Sequence, residues 1–385
     1  MAVILFVMGN SVLYSRRLSP QTTATGLLSF AVIGASQAMY GPALPGFTEA
    51  FNLQPGAAGM IVSAHSAGAV IGVLSTVPLA RLAVARYRVG VSFAFLLAGA
   101  LLIGAEMSWP LVLLGGWVLG IGFGTLALGI NSLYAVGYGR RSPAMVNLLN
   151  AIFGIGGMLS PLLFLVDFAH SGTPFYIFAG VTAVLLPLAF MMDDRLPVVS
   201  VDAPRPGKRR GILLAFMVLL GLGVGVEAST VGYAATYLIS VGVSADGATT
   251  ATSFFFLLFM LGRLAIIPVS MRVKSNQIVL GSLLFTTLLL AVANIGLIAP
   301  VVVVLLGASI AIYFPNCFNW LNEVFGAAND TAYMMAGALV GGMLIPAIVA
   351  QIIPLVGEMA IMGIIAGVSL LALVMAALIK VRLAE

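Results

Sequence analysis

The lysines and arginines of this chain lie in every second connection of an alternating hydrophobic pattern, and this placement constrains the fold most strongly. All 17 occur in six regions, at positions 16–17, 81–88, 140–141, 195–210, 263–274 and 380–382. The intervening connections carry acidic residues such as Glu49, Glu106 and Glu358, and no base. Cytoplasmic loops of membrane proteins collect Lys and Arg. We therefore predict an integral protein of the cell (inner) membrane with both termini in the cytoplasm.

The overall composition agrees with a lipid environment. Hydrophobic residues make up 61% of the chain and charged residues 8%, against about 25% charged residues in soluble domains. The net charge of +5 follows from the loop pattern, so we expect no nucleic-acid partner. One cysteine and two histidines are too few for a metal cluster. The sequence also contains no Walker motif and no catalytic triad, so we expect neither a cofactor nor an enzyme.

Twelve stretches are long and apolar enough to cross the membrane, for which a helix needs roughly 20 residues. They are numbered spans 1 to 12 and cover residues 24–48, 56–80, 89–106, 110–136, 145–168, 174–192, 212–239, 247–270, 277–297, 299–322, 332–354 and 358–379. The one long polar connection falls between spans 6 and 7. We therefore predict an all-α polytopic membrane protein with twelve transmembrane helices as two pseudo-symmetric six-helix bundles. Its predicted parts are a short N-terminal leader at 1–23, an N-terminal bundle at 24–192, a cytoplasmic linker at 193–211 and a C-terminal bundle at 212–385.

Short motifs recur in corresponding spans of the two halves. The stretch from Gly156 to Pro161 in span 5 is similar to the stretch from Gly341 to Pro346 in span 11. Spans 2 and 8 share one Gly and one Pro at the same spacing, and spans 4 and 10 share one Gly and one Asn. The repeats lie about half a chain length apart, which indicates a parallel duplication. This design lets two halves rock about a central site.

The chain resembles the major facilitator superfamily, whose members have twelve spans in two halves, both termini on one side and a linker at the midpoint. Within it, the sequence is most similar to the fucose permease-like sugar:proton symporters. The similarity is carried by residues 225–229 and 236–238 in span 7, 147–156 in span 5, 262–263 in span 8 and 313–315 in span 10. One departure is that the acid of the superfamily's loop between spans 2 and 3 is absent here. The resemblance implies alternating access and a small-molecule substrate moved with a proton. We expect the chain to function as a monomer.

Glu227 is the acid that lies closest to the middle of a span. A charge at the bilayer centre costs at least about 2.5–3.5 kcal/mol on insertion scales, so such residues are usually functional. Burial favours the neutral carboxyl, and we predict that Glu227 carries the transported proton. Direct solute binding and a purely structural hydrogen bond are the alternatives. Gln37 lies at the matching position of span 1 and is a predicted solute ligand.

Span 10 contains the densest polar and aromatic cluster. Asn316, Asn319, Trp320 and Glu323 recur at helical spacing and share one face. Such a face is expensive to expose to lipid, so we expect it to point into protein or water. Amides beside an aromatic ring suit a sugar, and we predict that Asn316, Asn319 and Trp320 bind the solute. Glu323 lies near the cytoplasmic end and is assigned a gating or structural role.

Other polar residues of the spans complete the predicted site. The amides of Asn131 and Asn150 are predicted solute ligands, whereas Asn147 is assigned a gating or structural role. His65 lies near mid-depth, and it either contacts solute or proton or is satisfied by a neighbouring side chain. The hydroxyls of Tyr40 and Tyr233 are predicted to bind the solute. Arg263 is assigned a gating or structural role.

These features favour a secondary active transporter that moves a small neutral polar solute, of the sugar class, by proton-coupled alternating access. A proton-coupled exporter of amphipathic drugs or metabolites is the first alternative. An uncoupled facilitator is the second, since a single acid is thin support for coupling. A non-transporting receptor is the least favoured, because the chain has no extramembrane domain.

Overall fold

The described part of the chain is built from α-helices joined by short turns. The computed structural model describes residues 18–82, 84–138, 141–166, 171–192, 208–293, 295, 298–325 and 331–383. Most of the predicted leader and linker, at 1–17 and 193–207, lies outside these residues. Large apolar side chains on the outside of the helices are exposed, for example Val184 and Leu355. Such side chains suit contact with lipid, and the protein is an all-α polytopic membrane protein.

Each predicted span coincides with a helix or a pair of helices. Among the described residues, ten spans are long and apolar enough to cross a membrane, the bent pair of span 1 makes an eleventh, and span 6 is a shorter apolar helix. The helices of spans 1 to 6 are Pro20–Ala38 with Tyr40–Ala50, Met60–Leu82, Ala85–Gly104, Trp109–Gly137, Ser142–Leu159 and Thr173–Ala189. Those of spans 7 to 12 are Lys208–Ser240, Ala245–Ser270, Ser275–Ala293, Ala299–Ala311 with Tyr313–Phe325, Thr331–Val356 and Ile361–Arg382. Spans 1 and 7 begin earlier than predicted, because Pro20 and the basic residues from Lys208 onward continue the helices beyond the apolar stretches.

Local sequence signals explain where several helices begin and end. Span 1 begins at Pro20, where the Ser19 hydroxyl accepts a hydrogen bond from the backbone N–H of Thr22. A side-chain acceptor at this position satisfies a backbone donor that the helix leaves free. The turns before spans 2 and 12 contain Gly56 and Gly357, with φ of 81° and 85°. Glycine adopts these positive φ values without the steric penalty that a Cβ would bring.

Span 1 bends by 41° between its two helices. Pro42, near the start of the second helix, cannot donate a backbone hydrogen bond to the carbonyl of Ala38, which lies at the bend. The bend brings Gly41 against span 7, where an added Cβ would lie 2.4 Å from the carbonyl oxygen of Val231. A glycine is therefore required for this close approach between the two halves.

The same helix pairs pack together in both halves of the chain. Span 1 packs on span 5 and span 7 on span 11, span 2 on span 4 and span 8 on span 10, and span 3 on span 6 and span 9 on span 12. The halves contact each other through spans 1 and 7, 2 and 11, and 5 and 8. This arrangement is the one that the repeated motifs predict.

One end of the molecule, here called the base-free face, is formed by the connections that carry acids and no base. Glu49, Glu106 and Asp246 from three of these connections line a single surface depression. Near this face, the hydroxyl of Tyr233 in span 7 donates to the carbonyl oxygen of Gly56, at 3.3 Å, and to that of Pro346, at 3.2 Å. Tyr233 therefore links the two halves at the base-free face.

Candidate functional site

A cavity of about 140 Å³ lies between the two halves. Its described lining comes from spans 1, 2, 4 and 5 of the first half and from spans 7, 8, 10 and 11 of the second. The cavity brings together seven of the residues predicted from the sequence, namely Gln37, Tyr40, His65, Asn131, Asn150, Glu227 and Arg263. These residues are distant in sequence, and the packing of the two halves is what gathers them.

Glu227 lies on the side of span 7 that faces the first half. The Gln37 amide of span 1 is placed to hydrogen-bond its carboxyl, and the Arg263 guanidinium of span 8 acts on it electrostatically. The carboxyl is partly buried, and it is the acid among the described cavity-lining residues. A carboxyl in such surroundings can take up and release a proton inside the membrane without leaving the cavity.

Arg263 is held by contacts with both halves. Its Nη1 donates to Oδ1 of Asn150 in span 5 at 2.7 Å, and its Nε donates to the carbonyl oxygen of Ala311 in span 10 at 3.4 Å. The guanidinium carbon also lies 4.3 Å from the centre of the Phe259 ring, which is a favourable position for a cation. Asn150 in turn donates from Nδ2 to the backbone of its own helix. The predicted gating or structural residue and a predicted solute ligand are thus direct partners.

Tyr40 and His65 form a buried pair at another wall of the cavity. The Tyr40 hydroxyl lies 3.0 Å from Nδ1 of His65, and the His65 ring packs edge-on against Phe123 with centroids 4.8 Å apart. Within the described part of the chain, Nε2 of His65 has no hydrogen-bond partner. One nitrogen of His65 is therefore satisfied by a neighbour, and contact of the other with solute or proton stays a prediction.

The remaining lining is largely apolar and was not predicted. It includes phenylalanines at positions 30, 123, 153 and 314, with Ser66, Met335 and Leu339. Ser66 follows His65 directly, but no sequence signal separates these phenylalanines from the others among the 22 in the chain. Asn131 completes the polar lining from span 4.

The structure does not bring the cluster of span 10 to this cavity. Asn316 is buried and donates to the backbone of its own helix, whereas Asn319 is exposed. Trp320 packs edge-on against Phe216 of span 7, with ring centroids 5.0 Å apart, in the core of the second half. Glu323 accepts a hydrogen bond from Ser275 at the start of span 9. The face of span 10 is thus divided between helix packing and the exterior.

Two further predicted residues also lie outside the cavity lining. Tyr233 is buried at the contact of the halves near the base-free face, where its hydroxyl binds backbone oxygens. Asn147 is half-buried on span 5, about one turn before Asn150. Its position fits a role in the helix interface or at the mouth better than solute contact.

A cavity between two helical halves, with polar groups set into largely apolar walls, is typical of a membrane transporter. The chain belongs to the Major Facilitator Superfamily, whose family model matches residues 26–329. It is accordingly a secondary transporter of a small molecule and not an enzyme. No curated protein sequence gives a significant match.

Solved structures with a similar fold include several transporters. The fucose:proton symporter FucP of E. coli matches with a TM-score of 0.64 and 17% identity, over 93% of this chain and 98% of that chain. A D-xylose-proton symporter matches with a TM-score of 0.70 and 15% identity, over 92% and 96%. The nucleoside transporter NupG matches with a TM-score of 0.75 and 14% identity, over 93% and 98%. At these identities the likeness concerns the fold.

Proposed function

We propose that this protein moves a small neutral polar solute, of the sugar class, together with a proton by alternating access. Glu227 carries the proton in this proposal, and the solute binds in the central cavity against Gln37, His65 and Asn131. The observation that supports it most directly is the carboxyl of Glu227 beside an amide of the opposite half, inside the cavity. Movement of the halves would change the surroundings of this carboxyl, and therefore how tightly it binds a proton.

The size of the cavity and the polar groups on its walls support a compact polar solute. Its volume of about 140 Å³ is well below the ~300–1,000 Å³ of sites that bind drug-sized ligands. Amides and an imidazole can hydrogen-bond hydroxyl groups, and flat aromatic rings can contact the apolar face of a sugar. Similar folds occur in a fucose:proton symporter and in a D-xylose-proton symporter, which agrees with this substrate class.

The alternative that has an observation of its own is a proton-coupled exporter of amphipathic compounds. Four phenylalanines line the cavity, and an apolar wall would suit such compounds if the cavity widened in another state. The polar residues on the opposite walls favour the sugar, because an apolar ligand would leave them without partners, at a cost of about 1–3 kcal/mol for each buried group.

Uptake into proteoliposomes tests the proposal. The purified protein is reconstituted, an inward proton gradient of one pH unit is imposed, and labelled L-fucose, D-xylose, D-glucose and uridine are offered. One pH unit corresponds to about 1.4 kcal/mol. Coupling of one proton per solute therefore sustains up to about tenfold accumulation.

The decisive variant is Glu227→Gln, which keeps the shape of the side chain and removes its titration. We expect it to lose accumulation and to retain exchange of labelled for unlabelled solute. Glu358→Gln, in the connection before span 12, is the matched control and should retain both. Sugar uptake that is the same with and without the proton gradient, and the same in Glu227→Gln as in the wild type, would identify a facilitator. Extrusion of an amphipathic dye without sugar uptake would favour the exporter.

A further inference from the structure

The acid and the arginine of the cavity come from one half, and the amides that partner them come from the other. Glu227 lies on span 7 and Arg263 on span 8, both in the second half. Their amide partners are Gln37 on span 1 and Asn150 on span 5, both in the first half. Each of the two side chains therefore has its partner across the boundary along which the halves would separate.

Both polar atoms of the Asn150 side chain have a protein partner. Its Oδ1 accepts from Nη1 of Arg263 at 2.7 Å, and its Nδ2 donates to the carbonyl oxygen of Val146 at 2.8 Å. Arg263 and Glu227 act on each other electrostatically. Among the described residues, the hydrogen-bond acceptors of the Arg263 guanidinium are Oδ1 of Asn150 and the carbonyl oxygen of Ala311, and not the Glu227 carboxyl.

We propose that Asn150 is a positioning residue that controls whether Arg263 pairs with Glu227. While spans 5 and 8 are in contact, Asn150 holds Arg263 and the Glu227 carboxyl faces the neutral amide of Gln37. When the halves separate there, Arg263 loses its cross-half acceptor and pairs with Glu227 instead. This inference rests on the proposed proton coupling and names the element of the cavity that links it to movement of the halves.

The proton balance of this exchange is simple. The carboxylic acid of Glu227 loses its proton to water in the open cavity, and the resulting carboxylate pairs with Arg263, which stays protonated throughout. An adjacent cation favours the charged form of a carboxyl, whereas a neutral amide lacks that effect. The other described titratable or charged groups facing this region are Tyr40 from span 1, His65 from span 2 and Tyr313 from span 10. Each of them is neutral in its ordinary form at neutral pH, and none replaces Arg263.

An infrared titration of the purified wild-type protein tests the proposal without requiring a known solute. The absorption of the protonated Glu227 carboxyl is isolated by subtracting the spectrum of Glu227→Gln at each pH. Asn150→Ala frees Arg263, so we expect the band to vanish at a pH lower by about one unit, which corresponds to tenfold weaker proton binding. Arg263→Gln removes the cation, and we expect the band to persist to higher pH than in the wild type.

Two further measurements make the test decisive. Leu148→Ala alters an exposed apolar residue of the same helix and should leave the band unchanged. In the double variant with Arg263→Gln, Asn150→Ala should cause no additional shift, because Asn150 acts through Arg263. An unchanged titration in Asn150→Ala, or an equal shift with and without Arg263, would overturn the proposal. Failure of the proposed function is a separate result, namely uptake in liposomes that ignores the proton gradient.

Discussion

The hydroxyl of Tyr40 in span 1 is hydrogen-bonded to Nδ1 of His65 in span 2, with 3.0 Å between the two atoms. In the tautomer that carries the imidazole proton on Nε2, the phenol donates to Nδ1. Nε2 is then a buried donor without a partner among the described residues, and a solute that reaches it would bind through an acceptor such as a hydroxyl or ring oxygen.

Removing the phenolic hydroxyl should destabilise this wall of the cavity. Tyr40→Phe leaves Nδ1 of His65 buried without a partner, which costs about 1–3 kcal/mol. We expect the thermal unfolding midpoint of the detergent-solubilised protein to fall by a few degrees. Tyr176→Phe, at a tyrosine on the outside of span 6, is the matched control and should unfold like the wild type. Equal midpoints for the two variants would contradict the proposed hydrogen bond.

Two glycines of span 4 should respond in opposite ways to the same substitution. A Cβ added to Gly120 would lie 2.0 Å from the carbonyl oxygen of His65, whereas one added to Gly129 would meet nothing within 4 Å. We expect Gly120→Ala to yield little monodisperse protein on size-exclusion chromatography, because spans 2 and 4 would be forced apart. Gly129→Ala should match the wild-type yield. Normal yield of Gly120→Ala would show that these helices have room to separate.

Substitutions at Trp320 distinguish a packing role from solute contact. The ring is 2% exposed and packs against Phe216, so Trp320→Ala should destabilise the protein by about 3–5 kcal/mol. Trp320→Phe retains most of the packing, and we expect its KM for the transported solute to equal that of the wild type. A folded Trp320→Phe variant with a KM raised several-fold would restore the predicted role of Trp320 in binding.

The hydroxyl of Tyr233 should hold the base-free face closed. Its bonds to the Gly56 and Pro346 carbonyls are lost in Tyr233→Phe, and a typical hydrogen bond contributes about 0.5–1.5 kcal/mol. We expect an impermeant maleimide added at that face to label Ala127→Cys, in the cavity, about 2- to 12-fold faster in the Tyr233→Phe background. The single native cysteine is first changed by Cys317→Ala. Unaltered labelling would mean that other contacts keep this face closed.

Spacing and hydrophobicity were sufficient to predict the fold and part of the candidate site. The matching of spans 1 and 7 paired Gln37 with Glu227, and the structure brings both to one cavity. That inference worked because a duplicated chain puts equivalent positions at equivalent depths. The cluster of span 10 behaved differently. The argument that polar residues avoid lipid cannot distinguish a cavity from a helix interface, and Trp320 lies in such an interface.

Contacts between side chains of different spans could not be predicted from the sequence. Nothing in the sequence indicated that Asn150 would bind Arg263, because hydropathy gives the depth of a residue and only roughly its direction around the helix axis. The bend of span 1 was likewise absent from the prediction, although Pro42 lies four residues after Ala38, where the first helix ends.

The close backbone contact at Gly120 has a consequence for how a solute is recognised. Gly124 lies equally close to the carbonyl oxygen of Ala69, where an added Cβ would be 2.1 Å from that oxygen. Spans 2 and 4 are therefore in close backbone contact over two successive turns. The surface that presents His65 is therefore ordered before any solute arrives. Binding to a preformed surface loses little conformational freedom. Little of the free energy of solute binding is therefore spent on ordering this wall. That free energy can instead drive movement of the opposite half, where Glu227 and Arg263 lie.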